Sequence, residues 1–284
     1  MKRKKFFLRF PGGRDRALTL SYDDGVDQDI RLAKILNAHG IKCTFNINSG
    51  SFSAEGTVFQ QGNVHRRMTE RQAYELYANG PHEIAVHTSL HPFLTELSPE
   101  MITQEVLSDR VALEKLFGRI VRGMAYPYGA TDSRVVECLK ACGIAYSRTT
   151  VSTERFDLPS DWLRLPATCH HKNARLMELA ENFVGPSKSE RPRLFYLWGH
   201  SYEFEENDNW DVIERFAEFM GGRDEIWYAT NIEIYDYIEC YKRLIWSADG
   251  DRVCNPSAQP VWISVDGTKV SVNPGETLCL YPEE

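Results

Sequence analysis

The run "EIAVHTSLHPF" (83–93) closes an apolar stretch with two histidines four residues apart and then a proline. Four residues is one helical turn, so His87 and His91 can present both imidazoles on one side of it, as a divalent metal requires. Pro92 disfavours a further turn, because the residue before a proline avoids the α region, and this fixes His91 over the site. Upstream, "RALTLSYDDG" (16–25) sets Asp23 and Asp24 side by side. Adjacent carboxylates repel unless one is neutralised; a cation on Asp24 does that and leaves Asp23 free as a base for water. Asp24 with His87 and His91, one carboxylate and two imidazoles, keeps coordination positions open, which is how a catalytic rather than a structural metal site is made. Singly, each motif also reads as a plain turn or as surface loop histidines.

The elements that must carry these residues favour the joint reading. Short apolar strands alternate with amphipathic helices: "RALTLSY" (16–22), 42–47, 83–86, 123–126, 144–148, 163–167, "RLFYLWG" (193–199) and 226–230 are the strands. The intervening helices have readable ends. Thr69 and Gln72 form a capping box, Ser98 and Pro99 open the next long helix, and Gly40, Gly80 and Gly118 mark helix ends. Seven or eight parallel strands alternating with helices make a distorted (β/α) barrel, with an open doubly wound sheet as the alternative. Asp23–Asp24, His87, the "YPYG" of Pro127 and Tyr128, and His200 then all lie at the strand ends that form one face.

After residue 243 the pattern becomes "PVWISVDGTKVSVNPGETLCL", two alternating segments joined by Asp266-Gly267, a hairpin signal. The expected organisation is a barrel over 1–243 and a small β-hairpin appendage over 244–284, too short to stand alone and packed on the barrel. The N-terminal "MKRKKFFLRFPGG" has a charged start, but its apolar run is shorter than the ~7–15 residues of a secretory signal, and it reads as a strand. Over 284 residues, 33 Lys and Arg against 40 Asp and Glu give a net charge of -7, which argues against nucleic-acid binding. No apolar run approaches the ~20 residues that span a bilayer, so no membrane partner is expected. Seven scattered cysteines without a disulfide framework fit a reducing, cytoplasmic setting, or a secreted one if a leader has been removed. Cys138 and Cys142 read as packed small hydrophobes in a helix.

In order and spacing, "LTLSYDDG", "HEIAVHTSLH", "YPYG" and "LFYLWGH" resemble the motifs of the polysaccharide deacetylase family, the NodB-homology carbohydrate esterases of family four, over about residues 16 to 240. The resemblance implies a distorted barrel and metal-dependent removal of acetyl groups from N- or O-acetylated sugars, an acetylated carbohydrate being the partner. It implies Asp23 as general base, and Asp24, His87 and His91 as ligands, usually of Zn²⁺. It further implies Tyr128 lining the oxyanion site through its backbone N–H and His200 as general acid. Asp161, in "SDWLRLP", is the carboxylate expected to keep His200 protonated, with Trp162 either a sugar-stacking wall or a packing residue. Pro127 and Arg164 complete the supporting set. The family places an arginine where this chain has Ala125, so Arg148 or Arg164, from neighbouring strand ends, is expected to reach Asp23 instead.

His170 and His171, in "CHH", end another strand, as loop histidines or as binders of substrate or a second metal. The carboxylates from Glu203 to Asp211 read as a solvated helix start. Hydrolysis of a non-sugar C–N bond, or a weakly active carbohydrate-binding protein, are the competing readings. Sugar identity, metal identity and oligomeric state are not legible.

Overall fold

A computed structural model describes residues 4–187 and 189–281. Its strands are β1 (Phe6–Arg9), β2 (Arg16–Asp23), β3 (Thr44–Ile47), β4 (Glu83–Val86), β5 (Gly123–Ala125), β6 (Tyr146–Ser152), β7 (Leu165–Ala167), β8 (Cys169–His170), β9 (Arg193–Gly199) and β10 (Ile226–Tyr228). The helices between them are α1 (Asp29–Ala38), α2 (Glu70–Tyr77), α3 (Pro99–Phe117), α4 (Ser133–Ala141), α5 (Leu176–Val184), α6 (Tyr202–Glu206), α7 (Asp211–Met220) and α8 (Asn231–Lys242).

Parallel pairing runs β7-β6-β5-β4-β3-β2-β9-β8. Because β7 and β8 are one stretch of chain interrupted at Thr168, the two ends of this path meet. Thr168 itself donates its N–H to the Tyr196 carbonyl at 2.8 Å. The sheet is therefore a closed, irregular (β/α) barrel. β10 pairs with the first half of β2 and β3 with the second, so the two share one side of that strand in succession.

Period-two alternation explains what the barrel holds. Leu18, Leu20, Tyr22, Phe45, Ile47, Ile84, Val86, Met124, Phe195 and Leu197 face outward into one core with the helices. The alternate positions, Thr19–Ser21–Asp23, Thr44–Asn46, Glu83–Ala85–His87, Tyr146–Arg148 and Tyr196–Trp198–His200, form the opposite, inward set. This interior is polar and hydrogen-bonded. Its lower end is plugged by the start of α8: Asn231 donates its backbone N–H to Thr44 Oγ1 (3.1 Å) and its amide to Tyr196 Oη (2.7 Å), and accepts from Thr19 Oγ1 (2.8 Å). The expected caps form. Thr69 and Gln72 make their box, Ser98 caps α3 ahead of Pro99, and Gly118 closes α3 in the left-handed region.

The C-terminal strands are β11 (Ile245–Trp246), β12 (Arg252–Cys254), β13 (Val261–Val265), β14 (Thr268–Val272) and β15 (Thr277–Cys279), in two three-stranded antiparallel sheets. Asp266 and Gly267, both at positive φ, turn β13 into β14. β1 pairs with β13, Phe6 opposite Val265, so the N-terminal strand builds the appendage's sheet and stays out of the barrel. Tyr237 of α8 joins the two layers, donating to the Arg9 carbonyl and accepting from Trp262 N–H. The seven cysteines are unpaired, with Cys138 and Cys142 buried. No helix among the described residues is long and apolar enough to cross a membrane.

Glu83, fully inside the barrel, accepts from Thr44 Oγ1 (2.8 Å), Tyr146 Oη (2.7 Å) and Ile232 N–H (3.0 Å). Burial outweighs these bonds and pushes its carboxyl up to about 7. A folded-state acid with a raised pKa binds protons that the unfolded chain has lost, so its contribution falls as pH rises from about 4.5 to 7. Glu83→Gln should flatten that part of the pH–stability curve, removing a decline on the order of 3 kcal/mol, as read by urea unfolding at each pH. An unchanged curve would assign the decline elsewhere.

Candidate metal and hydrolytic site

Strand parity brings Asp23, His87 and His200 to the upper mouth of the barrel facing inward. Asp24, next along, should face the other way. It is turned back by a positive φ of 87°, with its N–H donated to the Asn46 carbonyl at 2.9 Å. Thr88, His91 and Tyr128 also have positive φ, a concentration of sterically costly backbone at one end of the barrel. The segment from His87 to His91 is a bend and not the helical turn that the spacing suggested, because Thr88 and His91 both take positive φ; Thr88 Oγ1 accepts the His91 N–H at 3.1 Å and brings His91 back over the site. Asp109, buried on α3, accepts the backbone N–H groups of His87 (2.9 Å) and Ser49 (2.7 Å) and steadies the loop from beneath. Burial raises its carboxyl to about 8.

Asp24 Oδ1 is 3.8 Å from His87 Nε2 and 3.8 Å from His91 Nε2, and the two nitrogens are 3.1 Å apart. All the candidate ligand atoms lie within 4.8 Å of one another, a spacing suited to one ion. The tautomer fits as well. His87 Nδ1 is 2.8 Å from the Ala125 carbonyl, an acceptor, so Nδ1 carries the proton and Nε2 turns a lone pair into the site. Burial, then the neighbouring His87, lowers His91 to about 4, leaving it a neutral imidazole at pH 7. Burial alone would raise the Asp24 carboxyl. The His65 hydrogen bond (3.1 Å) and the Arg67 guanidinium (3.2 Å) overcome it and hold the group ionised.

Asp23 is 2% exposed. Asn46 donates to its Oδ1 at 2.8 Å and Arg148 pairs with its Oδ2. Burial opposes ionisation here too, but Arg148, His87 and His200 prevail and the pKa falls. Arg148 comes from the inward row of β6, level with Ala125, and its guanidinium also lies over Trp198, 4.2 Å from the ring. Of the two arginines expected to reach Asp23, Arg148 is the one that pairs with it. Arg164 instead pairs with Asp161 at the surface, at 3.2 Å.

The carboxylate beside His200 is not Asp161. Asp161 caps the short turn Trp162–Arg164 by accepting the Leu163 N–H (3.0 Å), which commits it locally. Glu203 takes the place, its Oε2 3.4 Å from His200 Nδ1, while His200 Nε2 is 3.9 Å from Asp23 Oδ2. Burial disfavours charge on His200, yet Glu203 and the two aspartates outweigh it and raise its pKa. Trp162 is partly buried and packs edge-on against Tyr235, 5.1 Å between rings. Pro127 is buried and opens the turn Pro127–Gly129. Tyr128 stands half exposed, stacked on Phe93 at 3.8 Å and edge-on to His91 at 4.5 Å.

Sequence reasoning missed His65, Arg67 and Glu203. The first two sit in the aperiodic 48–68 connection, where no pattern marks them. Glu203 was legible in principle, since three residues after His200 is a helical i,i+3 spacing. It is only 12% exposed, unlike its solvated neighbours Glu205 and Glu206.

Residues 11–147, a little under half the chain, match the family model described as polysaccharide deacetylase. No curated protein matches this sequence. Among solved structures, a Mycobacterium smegmatis protein assigned as a polysaccharide deacetylase superposes with TM-score 0.58 at 15% identity, covering 83% of this chain and 94% of that one. A family 4 carbohydrate esterase from Streptomyces lividans, in complex with acetate, gives 0.51 at 15% identity over 76% and 93%. A family 4 pseudoenzyme from Bacillus anthracis gives 0.47 at 16% identity over 81% and 68%. At such identities the likeness of the first two structures speaks for the fold alone, and the family model speaks for the sequence of residues 11–147. The resemblance of this chain to the polysaccharide deacetylase family is thereby shown.

Proposed function

We propose that this protein is a metal-dependent hydrolase that removes acetyl groups from an acetylated carbohydrate. The observation that carries the reading is the convergence of the Asp24, His87 and His91 ligand atoms, flanked by an ionised buried carboxylate and a protonatable histidine. A divalent cation such as Zn²⁺, held by Asp24, His87 and His91, supplies Lewis acidity toward the acetyl carbonyl and toward water. Asp23, kept anionic by Arg148, accepts the proton of the attacking water. His200 gives a proton to the departing sugar nitrogen or oxygen, which an amide nitrogen needs before it can leave. The Tyr128 N–H is assigned to the developing oxyanion, in a turn whose positive φ sets the direction of its peptide. The Arg148–Asp23 pair supports hydrolysis over the competing reading of a weakly active carbohydrate-binding protein, despite Ala125.

Elemental analysis of purified protein, paired with acetate release from N-acetylated oligosaccharides, tests this. The expected result is about one equivalent of zinc or a similar ion, with both metal and acetate release lost in Asp24→Ala. Protein that retains no divalent cation after exposure to Zn²⁺ would defeat the proposal.

A further inference from the structure

His170, at the end of β8, and His171, just after it, have no part in that scheme, yet they converge on it. Glu203 Oε2 lies 3.2 Å from His170 Nε2, 3.1 Å from His171 Nε2 and 3.4 Å from His200 Nδ1, and Lys172 Nζ is 2.8 Å from Oε1. Three imidazoles and an ammonium thus surround one carboxylate.

Such a cluster could be a second cation site or a hydrogen-bond hub, and the tautomers separate the two. His170 Nδ1 accepts the Lys172 N–H at 3.1 Å, so in the neutral ring the proton resides on Nε2, the atom facing Glu203. That is the reverse of His87, whose lone pair faces the site. The Lys172 ammonium adds a positive charge beside the carboxylate, which opposes a divalent ion there. The cluster is built tightly. His171 is buried, stacked on Phe204 at 4.1 Å, and a Cβ on Gly199 would come within 2.1 Å of its Nδ1, so only glycine at 199 leaves room for the ring.

We infer that Glu203 is the positioning residue for His200, and that His170 and His171 lock the Glu203 carboxylate so that it presents an oxygen to Nδ1. The inference rests on the deacetylase reading for its purpose but not for its geometry. With Nδ1–H directed to Glu203, the proton that His200 gives up and regains sits on Nε2, the nitrogen that faces Asp23. His200 is faced by Asp23 from β2, by Glu203 and the Tyr202 ring from α6, and by His170 from β8, with Lys172 on the far oxygen of Glu203. The 3.4 Å approach is longer than an ordinary hydrogen bond, and its shortening in the substrate complex is part of the inference.

The test combines ¹⁵N-imidazole NMR of zinc-loaded protein with steady-state kinetics on an N-acetylated oligosaccharide and zinc stoichiometry. In the wild type, neutral His200 should be the Nδ1–H tautomer. Glu203→Gln should lose that preference and lower kcat by about 10- to 100-fold at nearly constant KM, His170→Ala should move both readouts the same way by less, and Glu203→Asp should recover part of kcat. All variants should keep one equivalent of zinc. His200 signals in Glu203→Gln identical to the wild type would overturn the inference, as would a second zinc equivalent that disappears in His170→Ala. The NMR readout requires no turnover, so a wild type inactive on acetylated sugars would sink the deacetylase reading while leaving the hub separately decided.

Discussion

Arg148→Met should lower the unfolding free energy by about 3–5 kcal/mol, because it leaves the Asp23 carboxylate buried without its counter-ion. The pair is inside the barrel, both side chains nearly inaccessible, so neither charge can turn to water when its partner is removed. Methionine keeps much of the stem's packing volume and isolates the electrostatic loss. The sign with pH follows from the depressed Asp23 pKa: the stabilisation is present above the unfolded value of about 3.8 and is lost as pH falls through the folded one. In Arg148→Met that acid-side loss should shrink, and Asp23→Asn in the same background should recover much of the stability. Urea unfolding of both single variants and the double variant gives the coupling energy; additive effects would show that the two groups are not coupled. Acetate release should fall with the tether, since the proposed base loses its counter-ion and its orientation.

The other large effect is at His87. His87→Ala should leave less than about a tenth of an equivalent of zinc after dialysis and reduce kcat/KM by about a thousandfold or more, as expected if an interaction worth several kcal/mol is lost from the transition state. Of the two proposed histidine ligands, His87 is the one to choose because its tautomer is set by the Ala125 carbonyl, whereas His91 is on the partly exposed side of the loop. Elemental analysis and acetate assays on the same preparation read both quantities. A variant that kept its zinc would move the metal away from this triad.

Much of this architecture is written in short-range patterns. The Thr69–Gln72 capping box, Ser98 and Pro99, Gly118 and the Asp266-Gly267 turn each declare themselves within a few residues, and the structure has them where local chemistry requires. "SYDDG" and the His87–His91 pair are also short-range signals, although the link between the two histidines is a bend with positive φ at Thr88 and His91 where the spacing suggested a helical turn. What could not be read depends on reach across the barrel. Arg148 and Arg164 are equivalent by composition and by strand position, and only the inward parity of Arg148 and the surface pair of Arg164 with Asp161 distinguish them. Asp161 was a reasonable partner for His200 until its own turn claimed it. His65 and Arg67 reach Asp24 from a connection with no periodicity, so nothing local foretold them.

The pairing of β1 with β13 has a consequence for how the chain comes off the ribosome. The residues Phe6–Arg9 are translated long before Val261–Val265, so this sheet cannot begin to form until those later residues have emerged. During that interval "FFLR" is an unsatisfied, apolar strand waiting for its neighbour, while the barrel's parallel strands can already assemble in order behind it. A nascent chain that has emerged through α8 but not yet through Val261–Val265 should therefore hold a formed barrel with an uncovered sticky end, a natural place for a chaperone to bind.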